Sequence, residues 1–179
     1  MDFLRLFADL VDRCNDWLGR TVAWAMLPVV LVAFSVVFLR YVLGMGYPWL
    51  QEVYIWLHGA AFMAASAWVL KEGGHVRVDL FYKRMGLRVR AWIEIAGVFL
   101  FLMPMTLLMA WWAWPAVQRS LRLMERSPTA DGLQFLYVLK AFVLVFCVTV
   151  TLQGLAMAAR AVLVLAGRAK SLNAEARNG

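Results

Sequence analysis

The sequence predicts an all-α integral membrane protein with four transmembrane helices and an N-terminal amphipathic interfacial helix, both termini cytoplasmic. Three observations predict it. Hydrophobic residues make up 64% of the 179 and charged residues only 16%, beyond the apolar share of a soluble domain. The apolar residues gather into four runs, about 21–39, 49–70, 94–117 and 135–159, each longer than the roughly 18 residues that mark a membrane span. The basic residues then sort by connection. Arg5, Arg13 and Arg20 precede the first run, Lys71, Arg77, Lys83, Arg84, Arg88 and Arg90 join the second to the third, and Arg160, Arg168, Lys170 and Arg177 end the chain. All of these fall on one side of a four-span protein, leaving Arg40, Arg119, Arg122, Arg126 and Lys140 toward the other. The richer side faces the cytoplasm under the positive-inside rule.

Residues 2–18 place Phe3, Leu6, Phe7, Leu10, Cys14 and Trp17 on one helical face, with Asp2, Arg5, Asp9, Asp12, Arg13 and Asp16 over the rest. Such a helix is too short and too charged to span. It is expected to lie flat in the cytoplasmic interface, or to dock against a partner's helix. The aspartates before the first run, with no small-residue cleavage site after it, argue against a cleavable signal. The first span carries Pro28, which removes a backbone donor and predicts a kink. A short connection with Gly44 and Gly46 makes spans one and two antiparallel neighbours.

The second span opens with Pro48, Trp49, Gln51, Glu52 and Tyr54. At 1.5 Å per residue, Glu52 lies about 5 Å and His58 about 15 Å inside its start. Glu52 is read as a helix cap, an interhelical hydrogen bond or a partner contact. Ala60 with Ala64, Ala61 with Ala65, and nearby Gly59, Ser66 and Ala67 form a small-residue surface, which lets membrane helices approach closely. A polar turn follows at Lys71-Glu72-Gly73-Gly74-His75, then the alternating Val76-Arg77-Val78-Asp79-Leu80. It reads either as a well-capped loop or as a docking motif.

Residues 81–90 are basic and aromatic and suit a short helix over anionic head groups, so membrane lipids are expected partners. Pro104 interrupts the third span, and Trp111, Trp112 and Trp114 mark its outer interface. The outer loop 118–132 is helical up to Glu125 and turns at Pro128 and Gly132, and Lys140 snorkels outward from the start of the fourth span. After Gly167 a polar tail closes the single membrane domain, 1–179.

No phosphate loop, metal-spaced Cys or His pair, or nucleophile elbow is present, so neither enzyme activity nor a cofactor or metal is expected. The basic residues sit in short loops, which argues against nucleic acid. Cys14 and Cys147 fall in a tail and mid-span and are expected to stay reduced. His58 and His75 are the two histidines, at depths that do not suit a shared haem. His58 is read as structural glue, satisfied by one hydrogen bond to a neighbouring helix, with a place in a transport path as the alternative.

Trp49, Glu52 and Trp56, the Gly59-Ala60-Ala61 patch, and Lys71-x-Gly73-x-His75-Val76-x-Val78-Asp79 together resemble the small membrane subunit (DctQ type) of tripartite ATP-independent periplasmic (TRAP) transporters. The sharp motifs cover about 49–80, and the architecture covers all four spans; His58 and Pro104 lie outside the pattern. The resemblance implies a multi-pass protein of the bacterial inner membrane, packed on a large subunit that carries out sodium-coupled symport of organic acids. A periplasmic substrate-binding protein would deliver the solute. Subunit-interface candidates are then Trp49, Glu52, Trp56, Gly59, Ala60, Ala64, His75, Arg77 and Asp79. Binding-protein docking candidates are Arg119, Arg122 and Arg126. Two other classes stay open: the membrane anchor of a redox complex, and a self-contained small homo-oligomeric transporter.

Overall fold

The computed structural model describes residues 2–74 and 85–167, which form helices joined by turns, with no strand among them. In chain order these are α1 (Asp2–Val42), α2 (Pro48–Lys71), α3 (Leu87–Gly97), a π-helical turn (Val98–Leu102), α4 (Met103–Leu123) and α5 (Leu136–Leu165). Helix α3, the π turn and α4 run on as one rod, so four helices are long and apolar enough to cross a membrane. Helix α5 is the centre of the bundle and packs against each of the others.

The amphipathic segment and the first span are a single helix of 41 residues, about 61 Å long. Pro28 lies within it, and nothing between Trp17 and Thr21 stops it. Gly19, the weak helix former at the junction, is consumed by packing: a Cβ there would overlap the Trp68 indole of α2. The expected flat orientation therefore gives way to an upright one, and the faces are reversed. Ala8, Val11, Asp12 and Asn15 are buried, whereas Phe3, Leu6, Leu10 and Trp17 point away from the bundle, Trp17 being 69% exposed. The reason is chemical. Asp12 and Asn15 find hydrogen-bonding partners on α5, and burying a polar group is tolerable once it is paired.

Helix α2 starts with Pro48 at its first turn, where a missing N–H costs nothing. Its small residues are spent inside the chain. Ala61, Ala64 and Ala67 are buried, and Ala67 packs with Leu70 and with Val150 of α5, flanked by Leu102, Phe146 and Met157. Gly73 ends the helix at φ 67°, a conformation that suits glycine, and Gly74 N–H returns to Val69 O at 2.9 Å. The glycine turn expected after span two is formed, and Lys71 closes it by pairing with Asp16 of α1 and, at 3.3 Å, with Glu72.

The third rod, Leu87–Leu123, overruns the expected 94–117 at both ends. Residues 87–90, expected in a separate interfacial helix, form its first turn. Its π turn lies just before Pro104; the widened turn accommodates a ring that can neither donate nor fit a regular helix. The turn presents Val98 and Leu102 to Gly154 of α5, where a Cβ would meet Leu102 Cδ2 at 2.7 Å. One turn further on, the Thr106 and Thr151 hydroxyls share a hydrogen bond at 2.7 Å, joining α4 to α5 within the apolar layer. Before the π turn, Ala91 of α3 is locked against Ala161 and Val164.

Candidate functional site

Two polar assemblies mark opposite ends of the bundle. At the end shared by the start of α1 and the closes of α2 and α5, Gln153 is fully buried. Its Nε2 donates to Asp12 Oδ1 at 3.0 Å, and its Oε1 accepts from Asn15 Nδ2 at 2.7 Å. Asp12 also takes Arg160 in an ion pair, the two side chains retaining 10% and 12% exposure. Sequence reading assigned this cluster no role. Its signal was an amide, Gln153, inside the fourth apolar run, and polar residues on the N-terminal helix that could have served either face.

At the other end, Glu52 fastens the loop between α4 and α5. Its Oε1 accepts from the Ser127 hydroxyl, and its Oε2 accepts from Leu133 N–H at 2.7 Å. Ser127 N–H donates to Leu133 O at 2.9 Å and closes the loop on itself. Gly132 has no room for a side chain, since a Cβ would lie 2.9 Å from Glu52 Oε2. Lys140 reaches out to Glu125 at 2.5 Å. The hydrogen bond from Lys140 holds the Glu125 carboxyl below its ordinary value, helped by the charges of Lys140 and Arg119. The stabilisation is present above the usual carboxylate range and is lost as pH falls through the lowered value.

The docking candidates Arg119, Arg122 and Arg126 are all exposed at this end, the first two three residues apart on α4. An open groove of about 710 Å³ runs between the α1–α2 and α4–α5 connections, lined by Tyr47, Trp49, Asp131 and Phe135 among others.

The interface candidates divide. Trp49 is exposed at the groove, and Trp56 and Ala60 are half-buried. Gly59 faces α5, with Leu139 Cδ1 3.7 Å from where a Cβ would stand. Ala64 is buried in the chain's own core, and Glu52 is engaged by the chain's own loop. His75, Arg77 and Asp79 lie outside the described residues.

His58 does not find its expected hydrogen bond within the chain: it is exposed and takes no hydrogen bond or ion pair among the described residues, because α2 turns its alanine face to the bundle and the opposite face outward. Cys14 is exposed, Cys147 is buried, and both are free. No group of three or more His, Cys, Asp or Glu among the described residues could hold a metal ion.

The fold and its surfaces define a class: a multi-pass membrane bundle in which Asp12, Asn15, Gln153, Thr106 and Thr151 tie its own helices together. The model of the family "Tripartite ATP-independent periplasmic transporters, DctQ component" matches residues 29–164. The chain belongs to that family and is a small membrane subunit of a TRAP transporter. Comparison with curated proteins and with solved structures gave no match to either.

Proposed function

We propose that this chain is the scaffold of its transporter: it holds the large membrane subunit in the bilayer and offers the periplasmic binding protein a docking surface, while the large subunit moves the solute. The observation that carries this reading is the use of the buried polar side chains. Asp12, Asn15, Gln153, Thr106 and Thr151 are committed to helix–helix hydrogen bonds, which leaves them unavailable to a passing solute. A secondary transporter would instead keep polar groups open at a midplane site. Family membership supports a bacterial inner-membrane setting and uptake of organic acids driven by sodium. The basic bias of the Arg5, Lys71 and Arg160 end supports cytoplasmic termini.

The test is affinity capture of the tagged chain from its native membrane, with mass spectrometry of what stays bound and uptake measured with each chain deleted. The expected result is a stoichiometric, larger polytopic partner and uptake that needs both chains. Capture of the chain alone, or as a homo-oligomer that transports unaided, would sink the scaffold reading. Reversing charge at Arg119, Arg122 and Arg126 together is expected to lower binding-protein-dependent uptake at least tenfold and to weaken its dependence on ionic strength. The amount of large subunit captured should not change. Uptake equal to wild type would remove these arginines from the docking surface.

A further inference from the structure

The serine and threonine hydroxyls placed mid-span in the described residues have partners. Thr106 and Thr151 bond to each other. Ser35, Ser66 and Thr149 each donate to the carbonyl four residues back. His58 is the exception. It stands ten residues from Pro48 and thirteen from Lys71 in α2, so about 15 Å of helix separates it from the nearer end. The imidazole is too short to snorkel that far.

Nor can α2 roll to bring His58 inward. Ala64 and Ala67 on the opposite face are already closed against the bundle, and Lys71 and Trp68 are tied to Asp16 and Gly19 of α1. His58 also belongs to a pattern. Gln51, Ile55, His58 and Phe62 recur at intervals of four, three and four, and all four are exposed, Phe62 at 67%. That is one straight stripe on a helix. Lipid tails offer a hydrogen-bonding ring nothing, and burying it unpaired in hydrocarbon is costly.

We propose that the Gln51–Ile55–His58–Phe62 stripe of α2 is where a helix of the large membrane subunit packs, and that this helix brings a hydrogen-bonding side chain to His58. The assignment rests on the scaffold reading above, and it moves the contact from the small-residue face of α2 to the opposite face. Ile55 and Phe62 supply the apolar seam, and His58 fixes its register, because a polar group inside a helix interface accepts few alignments.

The experiment uses the whole complex in its native membrane. A photo-crosslinking residue placed at Ile55 or at Phe62 should capture the large subunit, whereas the same residue at Leu31 on the outward face of α1 serves as the comparison site. His58→Leu should reduce the large subunit retained on capture at least tenfold, with His58→Gln restoring part of it. The isolated chain carrying His58→Leu should melt no lower than wild type, since the ring has no partner within the described chain. A wild-type capture that retains the large subunit, with crosslinks from Ile55 and Phe62 only to lipid or to a second copy, overturns the proposal and leaves the scaffold reading standing. Unchanged retention by His58→Leu does the same. A wild-type capture with no large subunit overturns both.

Discussion

Replacing Asp12 with leucine is expected to cost the isolated chain about 3–5 kcal/mol of stability, the range for removing one partner of a buried ion pair. The loss comes from what stays behind. Arg160 keeps its charge at 12% side-chain exposure, and Gln153 Nε2 loses its acceptor while fully buried. Arg160→Leu should cost a similar amount, because it strands the carboxylate instead. The double variant Asp12→Leu/Arg160→Leu should recover most of the loss, since an apolar pair of similar volume often replaces a buried ion pair without penalty. Denaturation of the three variants in detergent or bicelles reads this directly. Singles within about 0.5 kcal/mol of wild type, or a double no better than either single, would show that the pair is solvated and carries no stability.

A second large effect is expected from the smallest possible change, Gly19→Ala. On intrinsic propensity alone the substitution should favour the helix by about 1 kcal/mol. Packing opposes it, because the new methyl would overlap the Trp68 indole and overpacking costs about 1–3 kcal/mol. Trp68 Cβ itself lies 2.9 Å from that methyl, so turning the ring alone does not clear the overlap, and a net loss of stability is the expected outcome. Adding Trp68→Ala should remove the ring overlap and leave only the Cβ contact at 2.9 Å, so the double variant should be more stable than the sum of the single effects allows. A stabilised Gly19→Ala chain, or strictly additive effects, would mean that α1 and α2 are not in close contact at this crossing.

The four spans were legible because their signal is one-dimensional: the length of each apolar run suffices, and it does not depend on which helix meets which. Direction around a helix is another matter. The residue 2–18 periodicity separates two faces but does not say which turns inward. The answer lies in Gln153 and Arg160, more than a hundred residues away. Without them the apolar face is the natural candidate for burial, and with them it is the polar one. The same limit applies to α2. The depth of His58 and the small-residue surface could both be read from spacing, yet Ala64 could have faced either a partner or its own bundle. Hydropathy cannot separate these cases, because lipid and protein interior are alike apolar. Glu52 was legible as a hydrogen-bonding group at the helix entry; the loop it holds, through Ser127 and Leu133, was not.

The long first helix also has a consequence in time. Asp12 is matched with Gln153 and Arg160, 141 and 148 residues further along the chain. At translation speeds of about 5–20 residues per second, roughly 7–30 s pass between the emergence of the two sides. During that interval the acidic face of residues 2–18 has only water and lipid head groups to satisfy it, while Phe3, Leu6, Leu10 and Trp17 seek the acyl layer. The newborn segment is expected to lie along the bilayer surface, as its amphipathic pattern favours, until the last helix supplies its amide and guanidinium, so the first segment made is expected to be the last one docked.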